Sequence, residues 1–205
     1  MINKDKYLIQ KLFETENWNL FLSSNITPKD IVSLFDFKES MHLIPSLLMA
    51  QWEDDTLKSY AIRLMRTCRT HFNKEWDVDW KNDAYLGICC KYLSMWDEAY
   101  KTLKRAYDRS DDPPAKLLIR LAQCASVPGI PPIDIHEEER LSQAALAKEL
   151  TTDTAMRMHA LADRKNDLEQ KAYWKKMWEK LEADGIYSDP IIPDVLCDSN
   201  YQKKP

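Results

Sequence analysis

The chain has 205 residues, a formal net charge of −4 and only three glycines, Gly87, Gly129 and Gly185. That length suits one domain or one small helical array able to bury its own core. The scarcity of glycine argues against hairpin-rich β structure, which needs positive φ at its turns, and the acidic balance argues against nucleic acid as a partner.

Taken in order, residues 4–23 carry Tyr7, Leu8, Leu12, Phe13, Trp18, Leu20, Phe21 and Leu22, a helical pattern broken near Asn17. Thr27, Pro28 and Asp30 mark a helix start: a capping threonine, a proline at the first helical position and an acid that closes the capping box. Ile31, Leu34 and Phe35 are expected to face inward. Residues 39–52 form a second apolar segment, in which Pro45 must sit in the first turn or kink the helix. Asp54 and Asp55 open a long helix with Leu57, Tyr60, Ala61, Leu64, Met65 and Cys68 on its inner face. Acids at its start and Arg63, Arg66, Arg69 and Lys74 toward its end suit the helix dipole.

The stretch Trp76-Asp77-Val78-Asp79-Trp80 then interrupts the helical pattern. In one reading Trp76 and Trp80 plug the gap between helix pairs. In the other, the tryptophans and aspartates form an acidic, aromatic contact patch. The first is preferred because large aromatics supply much core burial.

Residues 82–114 are two helical patterns joined by a tight turn. Tyr85, Ile88, Cys89 and Tyr92 share one face of the first, and Leu103, Ala106 and Tyr107 continue an apolar face on the second. Ser94 is expected to cap the second helix, with Asp97 three residues on. Gly87 and Ala99 allow close approach of the two backbones. The hairpin resembles a tetratricopeptide repeat: Leu86-Gly87, Trp96, Ala99, Leu103 and Ala106 stand at the repeat's mutual spacings, with departures at Asp83, Cys90 and Pro113. One repeat cannot bury its own apolar face, so the resemblance implies neighbours stacked on it. The expected fold is therefore all-α, a tetratricopeptide-like array of stacked antiparallel helical hairpins with roughly nine to eleven helices. It implies a groove lined at this repeat by Lys81, Ala84, Ile88, Lys91 and Tyr92, unless Ile88 and Tyr92 are plain core.

Asp112-Pro113-Pro114 starts the next helix, with Leu117, Leu118, Leu121 and Ala122 inward. Residues 126–132 hold three prolines and a glycine and read as a linker. Asp134 caps a helix over 136–150, with Glu137 at the capping-box position. Residues 152–162 and 166–183 form a last hairpin, with Leu168, Ala172, Trp174, Met177, Trp178 and Leu181 as the apolar set of its second helix. Gly185 ends it. The tail 186–196 reads as extended and packed on the last helices, and 198–205 as frayed. Residues 1–197 are thus expected to form a single domain.

Chemistry is sparse. The five cysteines show neither a disulfide framework nor a C-x-x-C pair. His42, His71, His136 and His159 lack metal-ligand spacing, and no phosphate-cradling or nucleophile motif occurs. His136 precedes three glutamates, but acids in a helix's first turn are explained by the dipole. Lys101, Lys104 and Arg105, and Lys171, Lys175, Lys176 and Lys180, are interleaved with acids and read as solvated helix faces. No cofactor, metal or catalytic residue is expected. No apolar run is long enough to span a membrane or to act as a signal peptide, so a cytoplasmic location is expected.

That leaves protein binding. Residues 171–190, a Tyr-Trp-bearing helix followed by an acidic, proline-containing tail, loosely resemble the end of all-helical immunity proteins of bacterial polymorphic toxin systems. The resemblance implies a non-catalytic protein that neutralises a toxin or nuclease domain. Asp54, Asp55, Asp77 and Asp79 would steer a basic toxin, and Trp76, Lys81, Lys91 and Tyr92 are further candidate contacts. The alternative is a tetratricopeptide-like adaptor or chaperone that binds a peptide or another protein.

Overall fold

The computed structural model describes residues 5–49, 55–127 and 134–189, and among these there are twelve helices and no strand. The described residues divide into two compact units, one up to Asn82 and one from Asp83 on.

In the first unit, α1 (Lys6–Glu14), α2 (Trp18–Ser23), α3 (Pro28–Leu34), α4 (Phe37–Met49), α5 (Asp55–His71) and α6 (Asn73–Trp76) follow one another. The break near Asn17 has a local cause. Glu16 takes a positive φ of 50°, and the Asn17 side chain accepts from the Leu20 amide to begin α2. Thr27 and Asp30 form the reciprocal capping box at α3. Pro45 lies inside α4 rather than in its first turn, because that helix begins eight residues earlier, at Phe37. Helix α5 packs against α3 and α4, and α1 against α2. The core is aromatic where α1, α2 and α5 meet: Phe13, Trp18 and Phe21 stack edge to face at 5.2–6.3 Å, and Phe21 meets Tyr60 at 5.0 Å. Burial pushes the Tyr60 phenol above its ordinary range and the Cys68 thiol up to about 12.

The second unit holds α7 (Lys81–Tyr92) from Asp83 onward, α8 (Trp96–Arg109), α9 (Ala115–Ala125), α10 (Ile135–Lys148), α11 (Thr152–Arg164) and α12 (Leu168–Ala183). Every residue from Asp83 to Cys90 is buried, so α7 is enclosed on all sides rather than amphipathic. Gly87 permits this. A β-carbon there would stand 2.6 Å from Leu103 Cγ and 3.1 Å from the Leu103 amide nitrogen of α8. The turn between these helices differs from the expected cap. Ser94 has φ 57°, and Met95, whose side chain makes no capping hydrogen bond, is the N-cap of α8. Ser94 supplies the left-handed residue of the turn, so its hydroxyl is one position too early to cap. Helix α9 packs on α8, α10 and α11, α10 also packs on α11, and α11 packs on α12.

Asp134 caps α10 as the sequence suggests, and Gly185, at φ 69°, follows α12. Helix α12 corrects one expectation: of its apolar set only Leu181 is buried, and Leu168 is 77% exposed. Trp174, Met177 and Trp178 are half-buried, and Trp178 meets His159 of α11 at 5.7 Å. The start of the tail is pinned to α11. Thr152 donates through both its amide and its hydroxyl to the Ile186 carbonyl at 2.8 and 2.7 Å, and the Thr151 and Ser188 hydroxyls are 2.8 Å apart. The linker prolines and glycine at 128–132, and the tail from 190 on, lie outside the described residues. No helix among the described residues is long and apolar enough to cross a membrane.

Candidate functional site

The predicted contact residues separate into two groups, one in each unit. In the first unit Asp54 lies outside the described residues. Asp55 opens α5 with its side chain 77% exposed and pairs with Lys58 at 3.2 Å. Two residues after the end of α5 the short α6 begins, and it ends in Trp76, whose side chain is fully buried and meets Phe37 edge-on at 6.4 Å. Its carbonyl accepts from Asn82 Nδ2 at 3.0 Å. Trp76 is therefore an anchor and not itself a contact surface.

The residues that follow it are turned outward. Asp77 is the C-cap of α6, its amide donating to the Asn73 carbonyl at 3.0 Å. Val78 is 84% exposed, and Asp77 and Asp79 are exposed on either side of it. The Asp79 carboxylate accepts from the Lys81 amide at 2.9 Å, fixing the entry to α7, and Lys81 itself is exposed. A buried indole thus holds a short acidic turn, with one apolar residue at its tip, in a defined position.

In the second unit Ala84 and Ile88 are buried, as core residues would be, whereas Tyr92 is 47% exposed. Lys91 is half-buried beside it, with Nζ 5.7 Å from the centre of the Tyr92 ring. Burial, followed by repulsion from Arg120, Arg157 and Lys116, lowers the Lys91 ammonium to about 8. The sign of the consequence follows directly. Between about pH 8 and 10.5 the unfolded chain keeps this proton and the folded chain has released it, so this group makes stability rise with pH across that window. Below it the charged form is a standing cost. Lys91→Met is expected to raise stability at pH 7 by about 1–2 kcal/mol and to flatten that rise. Urea unfolding at pH 7 and 10 checks both.

Sequence reasoning missed the buried ionic groups of this unit. Glu138 is fully buried and pairs with Arg157, while Arg164 Nε lies 3.4 Å from the same carboxylate oxygen. Arg164 also donates to the Ser126 carbonyl. Asp83, fully buried, is bracketed by Arg105 at 3.3 Å and Arg109 at 2.6 Å. Lys116, 3% exposed, pairs with Asp153 at 2.7 Å, and the other oxygen of Asp153 accepts from the Ser188 amide at 3.0 Å. One signal was legible: Arg105 and Arg109 are four apart on one face of α8 and carry no acid at that spacing. Charges this buried tie helices together as ion pairs, and none of these groups lines either of the open clefts described in the first unit.

Among the described residues no three His, Cys, Asp or Glu side chains are grouped to hold a metal ion. Cys68, Cys89, Cys90 and Cys124 are buried as thiols, and burial pushes Cys124 up to about 11, away from nucleophilic reactivity. Compared with family models, curated proteins and solved structures, the chain matches none.

Proposed function

We propose that this is a non-catalytic protein-binding protein of the cytoplasm, most specifically an immunity protein that binds a basic toxin or nuclease domain and neutralises it. The observation that carries the reading is the turn Asp77-Val78-Asp79. It is exposed, acidic at two of three positions, apolar at its tip, and anchored by the fully buried Trp76. Anchoring lowers the entropy lost when such a turn is immobilised by a partner, and its charge favours encounter with a cationic surface. Asp55 adds an exposed acid to the same unit. In the second unit we read α7 to α12 as three stacked hairpins of the tetratricopeptide type, supported by the packing of α9 on both α8 and α11 and by the close approach at Gly87. Lys91 and Tyr92 would then be that unit's contribution to binding.

Charge reversal at Asp55, Asp77 and Asp79 tests the role of the acids. The triple Lys variant is expected to slow association with the partner by about tenfold or more at low salt, and to reduce the salt dependence of the rate. Stability should stay within about 0.5 kcal/mol, as surface substitutions generally do. Unchanged association at every salt concentration would make the acidic turn mere solvated surface. The adaptor reading keeps one specific support, the exposed Tyr92 beside a half-buried lysine on α7. It predicts binding to a short extended peptide that is insensitive to the three aspartates.

A further inference from the structure

Open clefts lie between α3 and α5 and between α1 and α4, both within the first unit. The cleft between α1 and α4 has a volume of about 340 Å³, at the small end of the range for ligand sites, about 300–1,000 Å³. Its floor is apolar and largely aromatic: Phe13 of α1, Phe35 at the end of α3 and Leu43 of α4 are all buried. Its titratable lining is Glu14, Glu39 and His42, and no lysine or arginine lines it.

Beside the cleft the chain supplies one cation of its own. Lys6 reaches from α1 to Glu39 on α4, with Nζ 2.6 and 2.7 Å from the two carboxylate oxygens. The same Nζ lies 5.1 Å from the centre of the Phe35 ring. An ammonium set between a carboxylate and an aromatic ring gains from both. Glu39 also accepts from the Asp36 amide at 3.0 Å, so its carboxylate is satisfied. Glu14 stands differently. It is exposed and makes no ion pair among the described residues. It is also the last residue of α1, where the helix dipole disfavours an acid. Glu14 and Phe13 thus bring to the cleft the same pair of groups, a carboxylate and a ring, that Lys6 engages at Glu39 and Phe35, with no cation of the chain to match them.

We propose that this cleft receives a basic side chain, lysine or arginine, from the partner protein. Its charged head would pair with Glu14, and its alkyl stem would lie on Phe13 and Leu43, as the stems of these residues do on apolar surface. Charge selects the occupant: the carboxylate left unmatched calls for a cation, and the apolar floor calls for one carried on a hydrocarbon stem. The inference rests on the protein-binding reading and gives that reading a contact separate from the acidic turn at 77–79.

The test is amide NMR of the full chain titrated with butylammonium, butylguanidinium and 1-butanol, which carry such a stem with and without the charge. Expected is saturable binding of both cations at about millimolar concentration, the strength open to ligands of so few atoms. Shifts should centre on residues 10–14 and 39–46, and the alcohol should bind about tenfold more weakly. Glu14→Gln, on an exposed side chain, should weaken the cations about tenfold. His42→Glu, also exposed, adds an acid to the lining and should tighten them. No saturable binding of either cation would overturn the proposal and leave the protein-binding reading to the acidic turn. Alcohol binding as tight as the cations, or binding indifferent to both variants, would overturn it too. Cation binding as expected, in a protein from which no basic partner is recovered, would overturn the protein-borne source together with the protein-binding reading.

Discussion

Glu138→Gln is expected to destabilise the protein by about 3–5 kcal/mol, the range seen when one partner of a buried ion pair is removed. The glutamate is fully buried and lies against Arg157, itself only 6% exposed, with Arg164 on the same oxygen. The amide keeps the shape of the side chain and deletes the charge. Arg157 then has a buried guanidinium whose remaining described contact is the Ser126 hydroxyl at 3.4 Å, a poor substitute. Because Glu138 sits on α10 and both arginines on α11, the loss should be felt where those helices meet. Urea denaturation reads the stability change, and amide exchange along α10 and α11 reads its location. The double variant Glu138→Leu with Arg157→Leu separates charge from packing. Removing both partners should recover most of the loss, since a buried ion pair is seldom worth more than the hydrophobic pair that replaces it. A Glu138→Gln protein within about 0.5 kcal/mol of the parent, the scatter of neutral surface changes, would contradict the account.

Trp76→Ala carries the second large effect, about 3–5 kcal/mol, because a fully buried indole leaves a cavity that its neighbours close only in part. This variant reaches the proposed function as well as the fold. Trp76 ends α6, and the exposed acidic turn begins at the next residue. With the anchor gone, Asp77, Val78 and Asp79 should lose amide protection, and the turn's contribution to binding should fall even though none of its own side chains has changed. Trp76→Phe retains an aromatic ring against Phe37, 6.4 Å away in the parent, and should keep most of the order in the turn. If amide exchange in residues 77–79 is the same in Trp76→Ala and the parent, the anchor has no such role.

Helical class, the break at Asn17, the cap at Thr27 and the glycine after α12 were all legible because each is written in adjacent residues. The inward choice between the two readings of Trp76 also followed from residue type, since an indole in a short connector gains more from burial than from exposure. What escaped detection depends on partners far apart in the chain. Asp83 looked like a departure from a repeat pattern, but it is the buried counter-ion of Arg105 and Arg109, more than twenty residues on. Glu138 looked like one of three first-turn acids satisfied by a helix dipole, but it is the one that turns inward to Arg157. The α12 set misled for the opposite reason. Periodic apolar residues mark a face able to be buried, and they do not say how completely a neighbour covers it: α11 packs on α12, yet Trp174, Met177 and Trp178 stay half-buried and only Leu181 is buried. The candidate site divides the same way: the acids at 77 and 79 were evident as sequence, while the exposure of Val78 and the enclosure of α7 on every side needed the fold.

The central claim is that the protein acts by binding another protein, and co-purification from its native cell tests it most directly. The tagged chain would be recovered at low and moderate salt, its bound proteins identified, and any stoichiometric partner expressed alone and together with it. The account predicts one basic partner at one-to-one stoichiometry, held less tightly as salt rises, toxic when expressed alone and harmless when the two are expressed together. Recovery without any stoichiometric partner at either salt, or a partner whose toxicity persists in the presence of this protein, would contradict it.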